Sequence, residues 1–119
     1  MKKYNKIDKL WAEAVRLIDG KCRVCGKTPI AAHHIFTRSR LSTRFDISNG
    51  ISLCCLHHVF SSELSAHKSP REFNKWLERE NGKEWLDALE RESHTIKKWT
   101  EAELYELELH FKHFIEVLC

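Results

Sequence analysis

The segment from Lys21 to His58, KCRVCGKTPIAAHHIFTRSRLSTRFDISNGISLCCLHH, contains most of the cysteines and histidines of the chain. Two close pairs of metal-binding residue types stand at its ends with the spacing C-x2-C-x28-C-x2-H, at Cys22, Cys25, Cys54 and His57. Each pair falls in a tight turn, and four soft donors arranged in two such pairs suit a tetrahedral zinc ion. We therefore predict a structural zinc site, a zinc knuckle, at these four residues.

The cysteine pattern has a second interpretation, a redox dithiol at Cys22 and Cys25. The βαβ pattern that accompanies such dithiols is not recognisable around them, which favours zinc. A full disulfide framework is also disfavoured, because five cysteines leave one thiol unpaired. Cys55 and Cys119 remain, and we interpret them as a small buried residue and a C-terminal residue without a role.

Length and composition predict one small globular domain. The 119 residues are 42% hydrophobic and 31% charged, without an apolar run long enough to cross a membrane. Charged residues interrupt any apolar core of an export signal, at Lys6, Asp8 and Lys9. We therefore expect a reducing, cytoplasmic location, where clustered cysteines more often bind metal. No membrane partner is expected.

Charge is unevenly distributed along the chain. Residues 1–49 hold eleven Lys and Arg against four Asp and Glu, a net charge of +7. Residues 50–119 hold nine against thirteen, a net charge of −4. A basic half of this kind favours a polyanionic partner such as nucleic acid.

Hydrophobic periodicity predicts the elements around the cysteines. Apolar residues recur in steps of three and four over Tyr4–Ile18, which indicates a helix that ends at Asp19-Gly20. Short apolar stretches at 30–35 and 51–53 predict two strands. A further helix is expected from about Cys55 to Ser65.

The C-terminal part is predicted to be helical. Capping boxes are expected at Ser69–Glu72 and Thr100–Glu103, and Asn81-Gly82 separates a helix before it from a short one after it. The last helix carries a heptad-like apolar stripe at Leu104, Leu107, Phe111, Phe114 and Leu118. Such a stripe either packs within the domain, which favours a monomer, or forms a homodimer seam through residues 100–118.

A His-Asn-His constellation lies within and just after the zinc pairs. It consists of His33-His34-Ile35, Asn49 before a short strand, and His58 directly after the last zinc ligand. Together with the CxxC pair and the run Leu53-Cys54-x-x-His57-His58, this order of elements resembles the HNH nucleases of the ββα-metal group. The resemblance covers roughly residues 21–67, with His57 standing where cysteine is more usual.

The flanking sequence is similar to phage-encoded HNH proteins, in particular the NinG (Rap) recombination nucleases that act on branched DNA. The similar stretches are Arg38-Ser-Arg40, Arg44-Phe-Asp46, residues 65–70 and a last helix that begins after Lys98-Trp99-Thr100. The resemblance implies a phage or prophage endonuclease, which if phage encoded would be located in the host cytoplasm. A zinc-knuckle module that binds DNA without cutting it is the alternative.

The resemblance also implies roles for individual residues. His33 and His58 would hold one catalytic divalent ion (Mg²⁺, Mn²⁺, Ni²⁺ or Zn²⁺), His58 being counted among the catalytic residues, and His67 is a candidate further ligand. His34 would be the general base, since an imidazole that titrates near pH ~6.5 has a neutral fraction ready to accept a proton. Asn49 would support the base through backbone hydrogen bonds. Adjacent residues of a strand point to opposite sides, so His33 and His34 can serve different partners.

Three arginines fall between the proposed base and Asn49, at Arg38, Arg40 and Arg44. We predict that they contact DNA phosphates, although a solvated loop would have the same composition.

These observations predict an α+β fold, a small zinc-stapled ββα-metal core flanked by helices. One domain is expected over 1–119, with an N-terminal helix (1–20), the zinc knuckle and ββα-metal core (21–67) and a helical C-terminal part (68–119). The expected activity is metal-dependent hydrolysis of DNA phosphodiester bonds.

Overall fold

Four α-helices and a two-stranded antiparallel sheet form an α+β fold in the computed structural model, which describes residues 2–119. The elements are α1 (Lys2–Asp19), β1 (Ala31–His34), β2 (Gly50–Leu53), α2 (Pro70–Asn81), α3 (Lys83–Ser93) and α4 (Glu101–Leu118), with a 3-10 turn at Ile47–Asn49 and a single π-helical turn at Leu56–Phe60. In the described residues, no helix has both the length and the apolar character needed to cross a membrane.

The sheet lies under α1. Its register pairs His33 with Ile51 and His34 with Gly50. A Cβ on Gly50 would lie 2.5 Å from Val15 Cγ2 and 2.8 Å from Trp11 Cζ2, so only glycine lets α1 approach the strands this closely. The short hairpin is therefore covered by the N-terminal helix.

Two groups of buried side chains hold the elements together. One joins the hairpin to α2 and α3, through Cys22, Ile51, Leu53, Cys54, Ala66, Phe73, Leu77 and Leu86. The other joins α1 to α4, through Ile7, Trp11, Ala14, Val15, Phe45, Leu104 and Phe111. The hairpin thus has a helical layer on each side, and α1 reaches both the sheet and α4.

The apolar stripe of α4 packs within the chain. Leu104 and Phe111 are buried against α1, Leu107 and Phe114 are partly buried there, and Leu118 is 43% exposed. The intramolecular alternative is therefore confirmed for the first four residues and is wrong for Leu118. The monomeric state stays a prediction.

Two predicted helix starts have different outcomes. The Thr100 capping box is confirmed, because Thr100 Oγ1 accepts from the Glu103 N–H at 3.1 Å and Glu103 Oε1 accepts from the Thr100 N–H at 3.0 Å. The Ser69 capping box is wrong, because Ser69 Oγ instead accepts a hydrogen bond from the Ser65 N–H at 2.6 Å. Pro70 still begins α2 at the position that suits proline.

The helix predicted from Cys55 to Ser65 is too long. The π-helical turn ends at Phe60 because Ser61 adopts an extended backbone (φ −68°, ψ 127°), and Ser61 Oγ accepts from the following Glu63 and Leu64 N–H groups. Cys55 is exposed, which contradicts its interpretation as a buried residue.

Candidate functional site

The predicted zinc ligands meet at one end of the hairpin. One donor atom from each of Cys22, Cys25, Cys54 and His57 lies within 4.8 Å of all the others. Cys25 Sγ is 3.6 Å from Cys54 Sγ, and His57 Nδ1 is 3.4 Å from Cys54 Sγ and 3.9 Å from Cys22 Sγ. Donors around a tetrahedral zinc stand about 3.5–3.8 Å apart, as bond lengths of about 2.3 Å to sulfur and 2.0 Å to nitrogen require. The cluster could therefore hold a structural metal such as zinc.

Local backbone structure aims the thiols inward. The Gly26 N–H donates to Cys22 O at 2.8 Å and the Cys22 N–H donates to Lys27 O at 3.0 Å, with Gly26 at φ +76°. Burial opposes ionisation of Cys22, but backbone hydrogen bonds from Cys54, Cys25 and Val24 lower the pKa of its thiol to about 6. The thiolate is the form that binds metal, so these hydrogen bonds favour the metal-binding form of Cys22 in the absence of an ion.

A second group of ligand atoms comes from three histidines. His33 Nδ1 is 3.3 Å from His58 Nε2, which is 3.1 Å from His67 Nε2. Nitrogens that share one divalent ion at about 2.0–2.1 Å stand about 3.0–3.4 Å apart, so the geometry fits a metal. Burial, followed by the nearby His58 and His67 imidazoles, lowers the pKa of His33 to about 3. His33 is therefore neutral, as a ligand must be.

The two clusters share a short stretch of backbone. His57 and His58 are neighbours in the π-helical turn, and each belongs to a different cluster. The His58 N–H donates to Cys54 O at 2.8 Å, and the His67 N–H donates to His58 O at 2.9 Å. Ordering of the cysteine cluster would therefore also position the histidine cluster, because the two clusters share this backbone.

His34 occupies a different environment from its neighbour His33. Its ring stacks on the Trp11 indole, with centroids 3.8 Å apart and planes 9° apart, and its Nε2 is 3.0 Å from the carbonyl oxygen of Arg44. A carbonyl only accepts hydrogen bonds, so the proton of the neutral ring sits on Nε2 and Nδ1 keeps a free lone pair. Burial lowers the pKa of His34, although the hydrogen bond to Arg44 opposes that shift.

One open cavity brings the histidines together. Its lining is formed by Ala32, His33, His34, Thr37, Arg38, His58 and His67. The strand alternation separates His33 and His34 as predicted, because His33 contacts the other histidines and His34 contacts Trp11. Both residues nevertheless border this cavity. The cavity therefore combines three histidines that could hold a metal ion, an imidazole with a free lone pair and one cationic side chain.

Asn49 is fully buried and bonds to backbone, as predicted. Its Oδ1 accepts from the Phe36 N–H at 2.8 Å, and its Nδ2 donates to Phe36 O at 2.9 Å and to Thr43 O at 3.2 Å. Asn49 O also accepts from the Ile35 N–H, which continues the ladder past His34. Asn49 is thus a positioning residue for the segment after His34.

The three arginines differ in exposure and in their contacts. Arg38 is 67% exposed and borders the cavity, and Arg40 is exposed with its Nη1 donating to His94 Nδ1 at 2.6 Å. Arg44 is buried, and its Nε and Nη2 donate to Asp8 Oδ1 and Oδ2 at 3.0 and 2.6 Å. This pair uses Nε and Nη2, Nη1 lies 3.5 Å from the Arg38 carbonyl oxygen, and the side chain is only 8% exposed. No part of the guanidinium is open to a phosphate, so Arg44 is reassigned from DNA contact to the fold.

The Arg44 reassignment predicts a stability difference between two arginines of the same loop. Arg44→Ala is expected to lower the free energy of unfolding by about 3 kcal/mol, because it removes both hydrogen bonds to the nearly buried Asp8 carboxylate, which keeps only the exposed Arg38 Nη1 at 4.0 Å. Arg38→Ala is expected to change it by less than about 0.5 kcal/mol. Urea unfolding of both variants measures the difference. Equal stabilities would contradict the structural role of Arg44 and restore its assignment as a DNA contact.

Two contacts of this site were not predicted from the sequence. Trp11 is one of the apolar residues whose spacing predicts the helix over Tyr4–Ile18, and Asp8 was interpreted only as a charge that interrupts an export signal. Their spacing of three residues on α1 is the one available sequence signal, since it puts them on the same side of the helix.

No protein-family model matches the chain, and comparisons with curated proteins and with solved structures found no match.

Proposed function

We propose that this protein is a metal-dependent endonuclease of the HNH type that hydrolyses DNA phosphodiester bonds. The observation that supports it best is the cavity in which His34, with a free Nδ1 lone pair, borders the three-histidine ligand group. A general base beside a metal site is the arrangement that hydrolysis of a phosphodiester needs. The resemblance of residues 21–67 to HNH nucleases agrees with the proposal.

The chemistry assigned to this chain centres on His34. Its Nδ1 accepts a proton from a water molecule, whose oxygen forms a bond to phosphorus while the bond from phosphorus to the departing 3′ oxygen breaks. A divalent cation held by His33, His58 and His67 would supply stabilisation of the charge on the phosphate and the leaving oxygen. Arg38, exposed at the rim, contacts a non-bridging phosphate oxygen of the substrate.

The ligand chemistry narrows the range of metals. The group consists of three imidazole nitrogens. Imidazole suits zinc, nickel and related transition ions, whereas Mg²⁺ prefers oxygen ligands and retains its waters. Mn²⁺ also prefers oxygen ligands, so of the four ions considered from the sequence Zn²⁺ and Ni²⁺ are favoured over Mn²⁺ and Mg²⁺.

A plasmid-nicking assay tests the proposal. We expect conversion of supercoiled to open-circular DNA with micromolar Ni²⁺ or Zn²⁺, weaker conversion with Mn²⁺ or Mg²⁺, and none with EDTA. Zinc content and circular dichroism, recorded in parallel, verify that EDTA has not unfolded the protein. His67→Ala should raise the metal concentration needed, while His113→Ala, an exposed histidine on α4, serves as the matched control.

DNA binding without nicking under every metal would refute the nuclease and favour the non-cleaving zinc-knuckle module. A panel of linear, nicked, flapped and four-way DNA then tests whether branched DNA is the substrate, as the similarity to NinG proteins suggests. Preferential cutting of flapped or four-way DNA would support the recombination role.

A further inference from the structure

We propose that helix α1 is a positioning element of the reaction, because Trp11 and Asp8 fix the orientation of the general base. The inference rests on the proposed function, since it concerns how His34 is held. It adds a part of the chain outside residues 21–67, where the resemblance to nucleases lies. Three sets of contacts support it.

The first contact is the stack between Trp11 and His34. Trp11 is 1% exposed, and its Nε1 donates to the Asp46 carbonyl at 2.8 Å, so the indole itself has one fixed orientation. The imidazole lies parallel to it at van der Waals distance, with centroids 3.8 Å apart. A ring pressed flat against a fixed ring cannot tilt, so Trp11 sets the plane in which the His34 nitrogens lie.

The second contact sets the rotation of the ring within that plane. His34 Nε2 donates to the Arg44 carbonyl, and the Arg44 side chain is held by both oxygens of Asp8. Asp8 stands one helical turn before Trp11 on α1. The same helix therefore supports the ring face directly and the Nε2 acceptor through Arg44.

The third observation is the space left for α1 at the strand beside His34. Gly50 is the register partner of His34, and a Cβ there would overlap Trp11 and Val15. The sheet thus has its only side-chain-free position opposite the base, among the residues of β1 and β2. With plane and rotation both set, the Nδ1 lone pair has a single direction.

Trp11→Leu tests the inference, with Trp11→Phe as the conservative variant. Misplacement of a reacting group by about 1 Å can cost on the order of 100-fold in rate, so we expect Trp11→Leu to lower kcat by about 10- to 100-fold. KM for DNA should stay unchanged, because Trp11 lies under the base and not on the DNA side. Trp11→Phe keeps a ring against His34 and should recover most of the loss.

Leu104→Ala is the control for lost stability. Leu104 is buried in the same group of side chains as Trp11 and lies on α4, outside the contacts of His34. At a temperature where both variants remain folded, Leu104→Ala should keep the wild-type kcat. An equal fall in kcat in Leu104→Ala and Trp11→Leu would overturn the inference, as would wild-type kcat in Trp11→Leu.

Nuclear magnetic resonance of the histidine side chains gives a readout that does not depend on cleavage. In the wild type, the His34 ring protons should be shifted upfield by the indole and the ring should be a single Nε2–H tautomer. Both signatures should be lost or averaged in Trp11→Leu and kept in Leu104→Ala. Unchanged His34 signals in Trp11→Leu would refute the positioning role even if the protein cuts DNA, and the expected signals would support it even if nuclease activity were never found.

Discussion

Replacing His34 with alanine is expected to abolish DNA nicking while the fold and zinc content stay at wild-type levels. Loss of a general base typically lowers the rate by about 100- to 10,000-fold. The variant removes Nδ1 of His34, whose lone pair is free because the ring proton is on Nε2, bonded to the Arg44 carbonyl. The variant leaves the four residues of the predicted zinc site and the buried hairpin residues unchanged. DNA affinity should therefore remain close to that of the wild type.

The measurement compares single-turnover nicking rates with DNA binding by the same preparations. His113→Ala provides the matched control, because it removes an imidazole from an exposed position on α4. Near-normal nicking by pure, folded His34→Ala would contradict the assignment of the base. A fall in nicking accompanied by an equal fall in DNA binding would contradict it too, since it would place His34 in binding.

Serine in place of Cys22 or Cys54 is expected to unfold the protein. Metal binding at structural zinc sites is worth about 10 kcal/mol or more of folding free energy, which equals or exceeds the total stability of a typical small domain, about 5–15 kcal/mol. Both side chains also belong to the buried group that joins the hairpin to α2 and α3. The effect should therefore reach the whole domain rather than one loop.

Cys55→Ser is the matched control, since Cys55 follows Cys54 directly but is exposed and stands outside the donor group. Zinc content by mass spectrometry, circular dichroism and solubility distinguish the variants. We expect Cys55→Ser to keep one tightly bound zinc and a cooperative melting transition. A soluble, cooperatively folded Cys22→Ser protein without bound metal would show that the fold does not depend on the site.

The helices and strands followed closely from local patterns. Steps of three and four located α1 to within about two residues, and short apolar stretches located both strands. The predictions were wrong where a serine side chain has several possible hydrogen-bond partners. Ser69 has the sequence of a cap but bonds to the Ser61–Ser65 turn, and the helix after Cys55 stops early because Ser61 satisfies the next backbone N–H groups itself.

The part of the candidate site that depends on the spacing of ligand pairs was predictable from the sequence. Two close pairs of soft donors indicate one four-donor site, so the composition of the cysteine cluster was predictable from spacing, while the fold brings the two pairs together across 29 positions. His33 and His58 were assigned by resemblance, and the structure brings their nitrogens within 3.3 Å. The predicted place of His67 beside them depended on the turn after Ser61, which local patterns did not indicate.

Charge and apolarity alone could not assign Arg44 or Trp11. An arginine between two histidines in a basic loop has the composition of a phosphate contact, and a tryptophan on a helical face has the pattern of a core residue. Only the packing of α1 on the hairpin decides that Arg44 pairs with Asp8, 36 positions away, and that Trp11 stacks on His34. The sequence by itself thus determined the two close pairs of candidate ligands, the strands and the amphipathic helices, because these depend on spacing and periodicity between near neighbours. The tertiary structure alone decided which charges are buried and which ring holds His34, because those contacts join residues far apart in the chain through the approach that Gly50 permits.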